Sequence, residues 1–493
     1  MKKLVLNIVA LLLLAACGRP VTSPQMVDAL PEIYPDYVGV TIPATIAPMN
    51  FDVLAKDCEW VDVVVKGGKQ GELHVNDEAV SFPQTAWREL LAANVGDSIY
   101  FTLSVCEAGT WKQYRKFAMF VSPHPIEYGL VYRKIAPGYE VYSKMGFYER
   151  DLSTFEERVL LENTMVPGMC LNCHTFNKTN PDYMTYHVRG DHGATYLQTP
   201  QQADWLSTKT DSTISACVYP YWHPDGEYIT YSVNTTRQVF HVAKEKRIEV
   251  IDLASDVVVY HPQTHELLRT PLLQRADAFE TFPVFSADGK KLYFCSAAAE
   301  EVVRFKNIRY NLCSIDFDAK TGTFGSKVDT LINAAAMEKS ISFPRPSYDG
   351  KYIMYTLSNY GNFSIWHSEA DLWLLDLQTG AQRRLDEVNS DDTESFHNWG
   401  TESRWFVFSS RRDGGLYTRL YLACIDGEGR ISKPFLLPQE RPSAYYDATL
   451  YSYNVPDFTA KPVELDARKA ERTIVSDKRT QLKVRNLHRY NNP

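Results

Sequence analysis

The sequence predicts a mainly β protein, with a β-propeller as its larger, later part and a smaller β-rich domain before it. Three observations carry this prediction. A hairpin-forming segment recurs through the second half of the chain, and short apolar runs bounded by turns fill much of the first half. Aromatic residues make up 13% of the 493 residues, with 30 tyrosines, a bias that suits strands. The 52 Lys+Arg against 60 Asp+Glu give a formal charge of -8, which argues against nucleic acid as a partner. Charged residues at 23% and hydrophobics at 44% exclude wholesale disorder.

The first element is a signal peptide over residues 1–16. Lys2 and Lys3 precede an apolar run from Leu4 to Ala16, too short for a stable membrane span. Leu14-Ala15-Ala16-Cys17 resembles the lipobox of bacterial lipoproteins, which implies lipidation at Cys17. The alternative is a plain signal peptide with Cys17 incidental. The resemblance implies a mature chain anchored in the cell envelope at the outer membrane, periplasmic or surface-facing. Beyond this run no stretch is apolar enough to cross a bilayer.

Residues 17–36, Pro-rich over 24–36, read as a tether, and 37–123 read as a β-sandwich of immunoglobulin-like type. Its strand-like runs include 38–42, 62–65, 98–103 and 117–121, with one helix near 85–93. Cys58 and Cys106 lie in this stretch, where export allows a disulfide between them. Residues 124–192 read as a helical linker, because Ser153-Thr154-Phe155-Glu156 is a capping-box start and 155–161 carries a helical stripe.

From 193 to 458 the chain repeats. Residues 219–232, 282–295 and 343–355 each give a strand, an Asp-Gly turn and an alternating second strand, and 397–410 is a worn fourth copy. Four strands per unit, recurring every 50–60 residues, make a propeller blade. These segments resemble the TolB-like propellers, whose signature is aromatic-Pro-x-aromatic-Ser-Pro-Asp-Gly-Lys. Pairing 193–210 with 444–455 as a composite blade predicts five blades, six if one is degenerate. Residues 459–493 form a basic tail, with nine Lys/Arg against four Asp/Glu over 461–489. It suits the acidic body or a phospholipid surface, or is simply a flexible tail.

Cys170-Leu171-Asn172-Cys173-His174 is a C-x-x-C-H motif, the attachment signature of c-type haem. Two thiols three apart can reach both vinyl groups of one haem, and the adjacent His174 becomes its iron ligand. A dithiol pair or half of a zinc site are the alternatives, though no βαβ pattern or second ligand pair accompanies the motif. For the second iron ligand the candidates are His187, then Met184, then His192; His187 and Met184 share a face if this segment is helical. Arg189 suits a haem propionate or, equally, a solvated surface position. The remaining Cys217, Cys295, Cys313 and Cys424 sit on strand-like runs and read as buried small hydrophobes.

The whole chain resembles bacterial lipoproteins that join a TolB-like propeller to one C-x-x-C-H site. The resemblance implies one covalent haem c and an envelope location rather than a reaction; the expected function is electron transfer, with a redox or docking protein as partner. The alternatives are a protein-, peptide- or glycan-binding lipoprotein with structural haem, and a haem peroxidase or reductase with an open iron position. No G-x-S-x-G, H-E-x-x-H, Walker or dinucleotide motif is present. The polar loop Ser409–Gly415 follows a propeller strand and reads as a solvated hairpin tip, with lining of a channel mouth as the alternative.

Overall fold

Alternating β-branched and aromatic residues become strands through most of the chain, and the hairpins between them decide the architecture. The computed structural model describes residues 18–137, 144–241 and 246–485. Cys17 and the apolar run before it lie outside the described residues. No described helix is long and apolar enough to cross a membrane. The chain divides into two units, one holding residues up to 125 with 153–155 and 438–449, the other holding the rest.

In the first unit Cys58–Gly67 buries Val61, Val63 and Val65 on one face, the period of two expected of a half-buried strand. It pairs with Glu72–Asp77 on one side and Ser98–Glu107 on the other. Ser98–Glu107 pairs with Phe117–Ser122 through its first half and with Thr110–Gln113 through its second. The result is one branched seven-stranded sheet, where strand spacing alone suggested the two sheets of an immunoglobulin-like sandwich. The expected helix is present at Gln84–Ala93, burying Trp87, Leu90 and Leu91. Cys58 and Cys106 are both free thiols.

The second unit is a propeller of six four-stranded blades, two of which gain a fifth strand. Blade 1 takes its inner strand, Ser452–Thr459, from the far end of the chain and pairs it with Gly129–Ile135, then Gly146–Asp151 and Glu157–Glu162. Blade 2 runs from Cys170–Asn177 through Asn180–Arg189 and Ala194–Thr199 to Gln202–Ser207. The inner strands of blades 3 to 6 are Cys217–Trp222, Ala278–Phe285, Ser340–Pro346 and Glu394–Trp399.

Three sequence expectations are corrected here. The blades number six, the alternative to the five first expected. Residues 194–207 are the outer strands of blade 2, so their predicted pairing with 444–455 does not occur. The segment 124–192 is not a helical linker: it supplies three strands of blade 1 and the two innermost strands of blade 2. The apolar stripe after the capping-box residues sits in a strand, Glu157–Glu162, paired with Gly146–Asp151, so sheet pairing overrides the local helix pattern.

Each inner strand carries a bulge at the same place. The residue there is left-handed in all six blades: Val455 (φ 50), Cys173 (φ 52), Tyr219 (φ 49), Phe282 (φ 49), Phe343 (φ 50) and Phe396 (φ 51). A non-glycine residue at positive φ is strained, and its recurrence shows that the blade geometry demands it. Four of these side chains meet in series, with ring centroids 4.6 Å apart for Tyr219–Phe282, 4.1 Å for Phe282–Phe343 and 4.9 Å for Phe343–Phe396.

The basic tail is folded where described. Asp466 caps the helix Ala467–Val475 by accepting from the Lys469 amide. Thr480–Gln481 and Lys483–Arg485 then add parallel strands to the outer edges of blades 2 and 3.

Candidate functional site

Leu171-Asn172-Cys173-His174-Thr175-Phe176 is the blade 2 copy of a segment that every blade contains. Its counterparts include Cys217-Val218-Tyr219-Pro220-Tyr221-Trp222, Ile341-Ser342-Phe343-Pro344-Arg345-Pro346 and Ser395-Phe396-His397-Asn398-Trp399. Cys173 therefore stands where other blades place a bulky bulge residue, and His174 stands where four of them place proline. The bulge has a direct chemical consequence. On a regular strand, residues three apart face opposite sides. The extra residue at the bulge removes that opposition, and both Cys170 and Cys173 face one central cavity of about 240 Å³.

His174 and Arg189 lie on the same cavity wall. The His174 ring packs edge-on against Phe147 of blade 1, at 4.9 Å, and donates from Nε2 to the Val131 carbonyl at 3.3 Å. Burial, with a smaller contribution from the Arg133 charge, pulls its pKa down to about 4, so the ring is neutral at physiological pH. Cys170 Sγ donates to Met145 Sδ at 3.5 Å and accepts from Asn172 Nδ2 at 3.1 Å. Arg189 stands opposite Cys170 in the strand register. Tyr219 also faces the cavity; burial first, and the neighbouring Cys173 second, raise its hydroxyl pKa.

The other candidate iron ligands fall elsewhere. Met184 and His187 lie on a strand, not a helix, so their spacing of three puts them on opposite faces. Met184 is buried with Tyr186 and Val188 against Val131 and Phe147 of blade 1. His187 faces the other way, its Nδ1 3.0 Å from Thr195 Oγ1, and burial lowers its pKa to about 3. His174 faces blade 1, so the blade 2 sheet separates the two imidazoles. His192 lies 2.9 Å from Asp477, fastening the tail.

Sequence reasoning missed Arg133, Met145 and Arg345, which all line the cavity. Arg133 and Met145 were hidden inside the stretch misread as helical linker. Arg345 was legible in principle, since it follows Pro344 two places after a bulge residue. Arg411 comes from the loop Ser409–Gly415 and does reach the wall, where it lies 4.3 Å from the Trp366 ring centre.

A covalently attached porphyrin requires two thiols on one wall, a neutral imidazole, apolar surface for its body and donors for its carboxylates. Cys170, Cys173, the Phe240, Phe363 and Trp366 surfaces and the arginines meet that description, while the His174 imidazole is neutral but gives its Nε2 to the Val131 carbonyl. None of the other described thiols lines this cavity; burial pushes Cys313 up to about 11 and Cys217 to about 12. Among the described residues no cluster of three or more His, Cys, Asp or Glu is arranged to hold a metal ion.

No family model matches the chain, and no curated protein matches it. Among solved structures it is similar to an oligogalacturonate lyase in complex with manganese, at 13% identity and TM-score 0.36, covering 62% of this chain and 74% of that one. It is also similar to the periplasmic gluconolactonase of Pseudomonas aeruginosa, at 13% identity and TM-score 0.35, covering 68% and 100%. A DUF4784 family protein from Bacteroides caccae aligns at 8% identity and TM-score 0.29, covering 72% and 95%. At these values the likeness is one of fold alone.

Proposed function

We propose that this chain is an exported, lipid-anchored c-type haem protein that passes electrons, with one haem held on Cys170 and Cys173 in the propeller cavity. One observation carries the reading: of the eight described cysteines, the two of the C-x-x-C-H motif line the central cavity, with His174 beside them. Covalent haem supplies a one-electron couple at its iron. The chain's own residues do the rest. The two thiols would attach the group, and His174 would supply its nitrogen by giving up the Val131 carbonyl. Phe363 and Trp366 give the cavity apolar surface, and three of the bulge aromatics, Tyr219, Phe343 and Phe396, face it. The Lys2-Lys3 start, the apolar run and Cys17 support export and anchoring, and the Asp-Gly blades support a TolB-like docking platform for a redox partner.

A second reading, a haem enzyme with an open iron position, is favoured by the placement of Met184, His187 and His192 away from the cavity. Visible spectra of the chain matured in a host that attaches haem c separate the two. Sharp low-spin bands unaffected by carbon monoxide support the electron carrier. High-spin bands that shift with carbon monoxide overturn it in favour of the enzyme.

A further inference from the structure

We infer that Arg133 and Arg189 make the cavity a carboxylate-reading site, selecting a ligand with a planar apolar body and acidic arms. The planar body rests on the haem reading; the acidic arms rest on the cavity wall itself. Although the protein is acidic overall, no described residue of that wall is Asp or Glu, while four are Arg. Two of the four are already engaged. Arg345 donates to the Pro344 carbonyl and lies over the Tyr221 ring, and Arg411 donates to the Gly415 carbonyl and lies over Trp366.

Arg133 is engaged at one end only. Its NH1 donates to the Leu171 carbonyl and to Asn172 Oδ1, inside the C-x-x-C-H motif. Its Nε is buried with no partner. A buried guanidinium N–H without an acceptor is costly, and Arg133 lines the cavity with that donor unspent. Arg189, exposed on the adjoining strand opposite Cys170, brings a second guanidinium to the same wall. The planar fork of arginine matches a carboxylate through two parallel hydrogen bonds, which a lysine ammonium cannot do.

The test uses the full chain expressed without haem maturation, titrated with metal-free protoporphyrin IX and, separately, with its dimethyl ester. The two probes share a body and differ only in their carboxylates. Quenching of tryptophan fluorescence reports binding, since Trp366 lines the cavity. The diacid is expected to bind at least about tenfold tighter than the diester. R133Q/R189Q is expected to bind both alike, at the wild-type affinity for the diester. Equal binding of the two probes by the wild type, binding of neither, or a preference that survives in the double variant overturns the inference. If thermal melting shows that R133Q does not fold, R189Q at its exposed position carries the test by halving or abolishing the preference. A wild-type chain that acquires covalent haem but shows no diacid preference refutes this inference and leaves the haem reading intact. Diacid preference in a chain that never acquires covalent haem does the reverse.

Discussion

His174 and His397 occupy the same place in blades 2 and 6. Each lies one residue past a left-handed bulge, and each donates from Nε2 to a carbonyl on the second strand of the preceding blade, Val131 at 3.3 Å and Met354 at 2.9 Å. Burial pulls the pKa of both down, to about 4 and about 3. The inter-blade contact alone therefore explains a histidine at this position. It does not explain Cys170 and Cys173, and that contrast isolates the chemistry.

His397→Ala and His174→Ala should each cost about 1–3 kcal/mol in chemical denaturation, from a lost buried hydrogen bond and the space left behind. Only His174→Ala should alter the visible spectrum of the matured protein. Equal, unchanged spectra for both variants would reduce His174 to an inter-blade packing residue.

Asp457 closes the propeller. It lies on the C-terminal inner strand of blade 1, accepts from Thr175 Oγ1 and the Phe176 amide of blade 2 at 3.2 Å, and accepts from Asn398 Nδ2 of blade 6 at 2.8 Å. Burial raises its pKa from 3.8 to about 7 against these donors and the Arg345 charge. In the native state it therefore holds a proton that the unfolded chain releases at lower pH. Its contribution is full below about 3.8 and declines as pH rises towards 7. Denaturation at pH 5 and pH 7 should show a smaller loss of stability with rising pH in D457N than in the wild type. An identical slope in both would remove Asp457 from the account.

His367 sits between Glu249 and Glu369, with Nε2 3.2 Å from Glu249 and Nδ1 3.5 Å from Glu369. Despite burial, these carboxylates hold the His367 pKa above its ordinary value, while the histidine helps draw theirs down to about 2. The histidine contribution is present below its ordinary value of 6.5 and is lost as pH rises through the raised folded value. The carboxylate contribution is present above 4.5 and is lost as pH falls towards about 2. His367→Asn should flatten the stability profile on the alkaline side of pH 6.5. Thermal melts across pH 5 to 9 test this, and a mutant curve parallel to the wild type would contradict it.

The hairpin joining the first two strands of blade 2 turns through Lys178 and Thr179, both left-handed at φ 46 and φ 61. Asparagine is easier than lysine in that conformation. Lys178 is exposed, so K178N should stabilise the protein by about 0.5–1 kcal/mol in denaturant midpoint experiments, and a loss of stability would contradict the strain argument.

That hairpin also explains what sequence could and could not show. Blades 3, 4 and 5 announce themselves because Asp225-Gly226, Asp288-Gly289 and Asp349-Gly350 place glycine at the positive φ of the turn. Blade 6 uses Ser403 (φ 57) at the same point and reads as worn. Blade 2 turns on Lys178-Thr179, which carries no such signal. Blade 1 cannot be seen locally at all, because Ser452–Thr459 and Gly129–Ile135 are paired from distant parts of the chain. The C-x-x-C-H motif was legible as chemistry, but its strand was not. That hid the bulge bringing both thiols to one wall, and it made Met184 and His187 look like neighbours. Arg133 and Met145 stayed invisible for the same reason.

The most direct test of the haem assignment is a pyridine haemochrome assay with intact-mass measurement on the matured wild type, C170A/C173A and, as a buried-thiol control, C295A. The account predicts one covalent haem per chain in the wild type and in C295A, and none in C170A/C173A. A folded wild-type chain without covalent haem, from a host shown to mature another cytochrome c, would contradict it.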